Sequence, residues 1–234
     1  MLGTESNVYR VVTVEREYGC GGGEIACELA KRLGWKLWDH ALTEEIAKSA
    51  NVDCTAVERC QERVDSSFRR LAKTFLRGSY EPSMPSASAP FDPDRLVEVG
   101  QQVMQRIAGE SKCVIVGRGA PYLLRQQPDT FHVFLYAPRA EKIRRLSASG
   151  RVPKDSKIEE MVDTIDRDRI LFVKHYFNAD WPTRSLYHMM VNTAIGNDNV
   201  ISAIMHTMQD LDKRSSMKVT SFQPVASEEI AAKR

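Results

Sequence analysis

Between Arg10 and Leu33 an apolar run, a glycine cluster and an amphipathic repeat follow one another without a spare residue. Val11, Val12 and Val14 predict a buried β-strand, and Gly19, Gly21, Gly22 and Gly23 predict a turn with little side-chain bulk. Ile25, Ala26, Leu29, Ala30 and Leu33 then recur at helical spacing, and Gly34 supplies a stop just past Lys31 and Arg32. A strand that turns through glycines into a helix aims several backbone N–H groups at one spot, beside the positive end of the helix dipole. That spot suits a phosphate, so Gly19, Cys20, Gly21, Gly22, Gly23 and Glu24 are candidate phosphate ligands. The competing reading is a glycine turn needed only for close helix–strand packing.

The stretch departs from the standard phosphate loop, G-x-x-x-x-G-K-[ST], in which the Lys reaches the outer phosphates and the hydroxyl holds magnesium. With Gly19-Cys20-Gly21 laid on the glycine end of that loop, Gly22 falls where the Lys belongs, and Gly23 and Glu24 fall where Ser or Thr belongs. Arg16 takes the place of the first glycine. The backbone cradle is retained while its cation and its metal hydroxyl are not.

The 234 residues, 42% of them hydrophobic, suffice for one substantial domain with an inserted subdomain. A formal net charge of +2 is too small to predict nucleic-acid binding, so an anion site has to be a local concentration of Arg and Lys. No apolar run approaches the roughly 18 residues of a membrane span, and MLGTESNVYR lacks a signal-peptide layout, so a cytoplasmic protein without a membrane partner is expected. Cys20, Cys27, Cys54, Cys60 and Cys113 match no zinc or disulfide spacing and read as reduced thiols, with no metal set. Cys20 stands out because a helix N-terminus favours the thiolate.

Further along, Lys36 to Trp38 predicts a short strand ending at Asp39, and Leu42 to Ser49 a helix with Thr43 as its cap. An Asp at the carboxyl end of a strand stands at the ligand edge of an α/β sheet, so Asp39 is a candidate site residue; a plain capping role is its alternative. Cys54 to Leu76 shows a helical stripe, and Gly78 to Asp94 carries four prolines among Ser and Ala, as a linker does. After a helix over Leu96 to Ile107, the apolar run Cys113 to Val116 leads into Gly117-Arg118-Gly119. A strand from His132 to Tyr136 leads to Arg139 and a basic helix. Strands that alternate with helices and end in polar turns predict a mainly parallel sheet covered on both sides, its ligand edge collecting Gly19 to Gly23, Asp39, Gly117 to Gly119 and Arg139. Ile158, Met161, Ile165 and Phe172 mark the buried side of a helix from Ser156 to Tyr176; Arg169 interrupts that stripe and either faces a cleft or snorkels, with Asp166 in reach as a pair. Tyr187 to Val191 is the last strand, Val200 to Leu211 the last helix, and Lys213 to Arg234 a polar, irregular tail.

In this order and spacing, VVTVEREYGCGGGEIACELAKRLG, WDHALTEEIA, VIVGRGAPYLL, VFLYAPRAEKIRRL, the Asp166-x-x-Arg169 helix and LYHMMVNT resemble the cytidylate kinase-like family of P-loop proteins, from about Val8 to Leu211. The resemblance implies a three-layer α/β/α P-loop kinase fold over residues 1–212, with a helical acceptor-side arm and linker at about 43–95, a lid region at about 139–180 and a tail over 213–234. It implies transfer of the γ-phosphate of ATP or another nucleoside triphosphate, with Mg2+, to a nucleoside monophosphate of the CMP type or a similar small acceptor. Arg118 maps to an acceptor-phosphate arginine, Arg169 to a lid-helix arginine with Arg167 as a second candidate, and Asp39 to a strand-end Asp near the acceptor. Gly119 stands where relatives often carry an Asp used in base recognition, and Gly23 where they often carry an Arg. The missing Lys and hydroxyl keep a second reading open, a degenerate P-loop module that binds nucleotide or a protein partner without catalysis. Nothing in the residues speaks to oligomeric state.

Overall fold

The computed structural model describes residues 9–50, 93–150 and 157–220. Five strands lie among them: β1 Val11–Arg16, β2 Lys36–Trp38, β3 Cys113–Val116, β4 Thr130–Tyr136 and β5 Met189–Asn192. They form one all-parallel sheet in the order β2-β3-β1-β4-β5. β1 lies at its centre, with Val11 opposite Cys113 on one side and Thr130 on the other. The seven described helices are α1 Gly22–Leu33, α2 His40–Ser49, α3 Pro93–Glu110, α4 Ala120–Leu123, α5 Arg139–Ala148, α6 Ile158–Phe177 and α7 Asn197–Thr220.

Side chains alternate across a strand, and the two faces of this sheet feed two separate cores. Val12, Val14, Val114, Val116, Val133 and Leu135 pack with Ile25 and Leu29 of α1 and with Val200 and Ile204 of α7. Val11, Cys113, Ile115 and Phe134 pack on the other face with Leu42 of α2, Met104 and Ile107 of α3, and Phe172 of α6. Helices on both faces of a parallel sheet make the expected three-layer α/β/α fold, and strands buried on both sides explain the unbroken apolar runs.

The topology also selects one place on the sheet edge. The chain leaves β1 for α1 on one face, whereas it leaves β3 for α4 on the other, so a crevice opens between the carboxyl ends of these neighbouring strands. The glycine turn after β1 and the Gly117-Arg118-Gly119 turn after β3 flank it.

Several boundaries differ from the sequence expectation. β1 runs through Glu15 and Arg16 because both pair along the long neighbour β4, opposite Phe134 and Leu135; ladder hydrogen bonds outweigh the charges. α2 starts at His40 with Asp39 at its cap position, so Thr43 is a buried residue inside the helix rather than its cap. The buried stripe of α6 is Val162, Ile165, Asp168, Arg169, Phe172 and Val173; Ile165, Arg169 and Phe172 lie on it as expected, while Ile158 and Met161 are only half-buried. The expected irregular tail is still helical through Thr220, since a packed helix is cheap to extend and no Pro or Gly interrupts it. The Cys54 to Leu76 stripe, most of the proline-rich linker and residues 221–234 lie outside the described residues.

Candidate active site

Gly19 and Gly21 both take left-handed backbone, with φ of 80° and 82°, and Gly21 caps α1 without a side-chain hydrogen bond. A side chain at either position would be strained, which is why the turn is built from glycine. The first-turn residues Gly22, Gly23 and Glu24 follow, with N–H groups that an α-helix cannot satisfy internally. The turn is engaged with its own protein at Cys20. The Gly22 backbone lies beside the Cys20 sulfur, and the Cys20 carbonyl accepts from Arg145 Nη1 at 2.6 Å and from Thr193 Oγ1 at 2.6 Å. Arg145 Nη2 also donates to the Thr193 carbonyl at 2.8 Å, so α5 and the segment after β5 are pinned to the turn.

Burial pushes the Cys20 thiol up to about 11, against smaller downward pulls from the Gly22 hydrogen bond, Arg169 and Arg16. The reactive thiolate expected at a helix N-terminus is therefore replaced by a neutral thiol, because its sulfur points into the core rather than at solvent. Cys27 is half-buried and Cys113 buried, and the described cysteines are all free thiols.

Beside the turn lies a small cleft, with room for about one water in this structure, lined by Glu15 and Arg16 of β1, Arg118 and Gly119 after β3, Arg169 and Phe172 of α6, and Trp181. All three arginines are buried, at 4, 4 and 8% exposure, and they arrive from three different elements. Arg169 Nη1 donates to the Arg16 carbonyl at 2.7 Å and to Asp166 at 3.1 Å, so its ion pair and its approach to the cleft coexist. Arg118 Nη1 donates to the Val116 carbonyl at 3.0 Å, its Nη2 donates to Thr43 Oγ1, and its guanidinium lies 3.8 Å from Asp39. Burial, then the neighbouring Arg169, push the Arg16 guanidinium below its ordinary value, while Asp39 and Glu15 pull it back.

Arg118 stands in left-handed backbone between two left-handed glycines, with φ of 68°, 58° and 70° along Gly117, Arg118 and Gly119. A non-glycine residue held there costs of order 1 kcal/mol or more and persists only where its surroundings fix it, as the three guanidinium contacts do. A Cβ on Gly119 would overlap the Phe177 ring, so a side chain at this position is excluded by an aromatic contact as well as by its left-handed backbone.

The remaining candidates separate. Asp39 is buried within the cluster, Arg167 is exposed on the far side of α6, and Arg139 pairs on the surface with Glu159 and Asp163 instead of joining the ligand edge. The sequence reading did not single out Glu15, Arg145, Trp181 or the Lys142 network. Lys142 Nζ bridges Glu17 at 3.1 Å and Asp166 at 3.0 Å, and Asp166 also accepts from the Tyr18 N–H at 2.8 Å. A Lys three residues ahead of Arg145 on a basic helix was the available signal, but only the fold shows which of those charges turn inward.

A parallel sheet with a glycine turn at the switch point and arginines gathered across it is the arrangement of the P-loop kinases. A profile of the cytidylate kinase-like family matches residues 11–195, and the chain belongs to that family. Among solved structures it is similar to an uncharacterised protein from Eubacterium ventriosum, at 17% identity and a TM-score of 0.61 over 85% of this chain and 98% of that one. It is similar also to a shikimate kinase from Bacteroides thetaiotaomicron, at 13% identity and a TM-score of 0.51 over 85% and 98% of the two chains. A gluconokinase from Sinorhizobium meliloti aligns at 11% identity and a TM-score of 0.50 over 89% and 96%. At these identities the likeness is one of fold. No curated protein matches the chain. Among the described residues no helix is long and apolar enough to cross a membrane.

Proposed function

We propose that the chain is a phosphotransferase that moves the γ-phosphate of ATP or another nucleoside triphosphate to a nucleoside monophosphate of the CMP type or a similar small acceptor. The observation that carries this reading is the convergence of Arg16, Arg118 and Arg169 in one buried cleft beside the glycine turn. Phosphoryl transfer asks little covalent chemistry of a protein; it needs positioned phosphates and fixed positive charge where negative charge builds up. Arg118 and Arg169 are the residues we assign to that charge, with the amides of Gly19 to Glu24 cradling the donor phosphates. Asp39, held beside Arg118, orients that arginine and faces the acceptor side.

Magnesium is bound by hard oxygen ligands, commonly one or two carboxylates together with phosphate oxygens rather than an all-protein cage. Glu24, in the first turn of α1 where the standard loop has Ser or Thr, is a carboxylate of that kind and is the residue we assign to it. When bound, the metal neutralises charge on the phosphates.

The test is release of ADP from Mg-ATP in the presence of a panel of nucleoside monophosphates, CMP first. Arg118→Ala and Arg169→Ala are each expected to lower turnover by about a hundredfold, the size of one lost charge-stabilising contact. Both arginines also hold backbone carbonyls, so melting temperature is measured in parallel, with a loss of about 1–3 kcal/mol expected from those bonds. Stability loss with undiminished turnover would reduce both to structural residues. The second reading, a nucleotide-binding module without catalysis, is favoured by one observation: Gly22 and Gly23 stand where the standard loop has its Lys and its hydroxyl. Binding of Mg-ATP without ADP release across the panel is its signature.

A further inference from the structure

We propose that Arg16 is the replacement for the missing loop lysine, the cation for the donor's outer phosphates having moved from position 22 to position 16. This rests on the phosphotransferase reading and adds a residue-level exchange to it. In sequence the two changes look unrelated: an arginine in place of the first loop glycine, and a glycine in place of the lysine. In the fold they are one change. A Cβ built on Gly22 would lie 2.8 Å from both Cβ and Cγ of Arg16, so a side chain at position 22 and the stem of Arg16 compete for the same space. A second glycine makes way for the other end of the same side chain, since a Cβ on Gly117 would overlap Arg16 Nη1. Two glycines from two separate turns are thus vacated along one arginine.

The path of that arginine gives the exchange its meaning. Arg16 leaves β1 toward α1, crosses the start of the helix at Gly22, and ends at Gly117 on the wall of the cleft that Arg118 and Arg169 also line. Its side chain is 5% exposed, it pairs with Glu15 at 3.7 Å, and its carbonyl is held by Arg169. An oxyanion that spans three neighbouring guanidinium groups is favoured by all of them. The ligand class that meets this charge is a polyphosphate whose outer phosphates reach past the glycine turn. A nucleoside monophosphate in the donor position has no phosphate long enough to gain from it.

The experiment is a titration of wild type, Arg16→Gln, Arg16→Lys, Gly22→Lys and the exchange variant Arg16→Gly/Gly22→Lys with Mg-ATP and with AMP, each checked by thermal melting. Arg16→Gln is expected to weaken Mg-ATP by about tenfold or more while AMP binding moves little, and Arg16→Lys to retain most of the affinity. Gly22→Lys alone is expected to melt lower without binding more tightly, because Arg16 still fills the space. The exchange variant is expected to recover Mg-ATP affinity to within about threefold of wild type, the non-additivity of two residues that share one volume. Undiminished Mg-ATP affinity in a folded Arg16→Gln protein overturns the proposal, as does an equal loss for AMP and ATP. Should Gly22→Lys or the exchange variant fail to fold, the Arg16→Gln and Arg16→Lys pair still decides it. A wild type that binds no Mg-ATP fails the phosphotransferase reading itself, and this inference with it, a result distinct from the failure of Arg16 alone.

Discussion

Single residues buried at the sheet carry pH dependence that has nothing to do with the site. His132 on β4 shares a hydrogen bond of 2.7 Å with Thr13 Oγ1, donates its N–H to His188 Nδ1 at 2.9 Å, and stacks on the His188 ring at 5.5 Å. Burial first, and then the neighbouring His188, push its imidazole down from 6.5 to about 4. Above pH 6.5 both folded and unfolded chains carry it neutral. As pH falls from 6.5 toward 4 the unfolded chain takes a proton that the native site refuses, so stability is lost across that window, by about 3 kcal/mol at most and about 2 kcal/mol by pH 5. Denaturant midpoints at pH 7 and pH 5 should show the loss, and His132→Gln should flatten it; an identical slope in that variant would assign the acid sensitivity elsewhere. Residue-scale chemistry was the least legible part of the chain. Cys20 reads as an activated thiol from its place before a helix, and the opposite shift follows only from knowing that its sulfur faces Leu135 in the core. Arg118 and Arg169 were legible because each breaks a local pattern, one between glycines and one on an apolar stripe. Glu15 and Arg145 break none.

At the scale of elements, charges tie α5 and α6 to the loop after β1, where Leu146 of α5 also packs on Gly19. Lys142 on α5, at 8% exposure, stands between Glu17 and Asp166, while Arg169 on α6 shares Asp166 and reaches the Arg16 carbonyl. Removing the cation leaves two carboxylates facing each other with low exposure. Lys142→Met is therefore expected to cost about 2 kcal/mol, and Lys142→Met/Asp166→Asn to recover part of it, measured as a double-mutant cycle on denaturant midpoints. Additive losses would mean that Lys142 acts through packing of its stem alone. Strand and helix types were readable from period and apolar runs, down to the bounds of β2 and β3. The ends of β1 and α7 were not, because β1 is prolonged by pairing with β4 and α7 lacks a breaker.

For the molecule as a whole, the order of elements sufficed to expect a parallel sheet with covered faces and a ligand edge, and the fold has that form. What order alone does not give is which charges meet at the edge. Strand order β2-β3-β1-β4-β5 opens the crevice between β1 and β3, and this choice brings Arg16 and Arg118 together while leaving Arg139 on the surface. At the same crevice Gly119 is packed against the Phe177 ring, where a Cβ would overlap it. On the reading proposed above, the glycine turn and the three-arginine cleft are one phosphoryl-transfer site. A crystal structure with Mg-ATP tests it most directly. The expected result is the donor phosphates on the amides between Gly19 and Glu24, with the γ-phosphate reaching the guanidinium groups of Arg16, Arg118 and Arg169. Nucleotide bound away from the turn, with Arg118 and Arg169 still on the Val116 and Arg16 carbonyls, would contradict it.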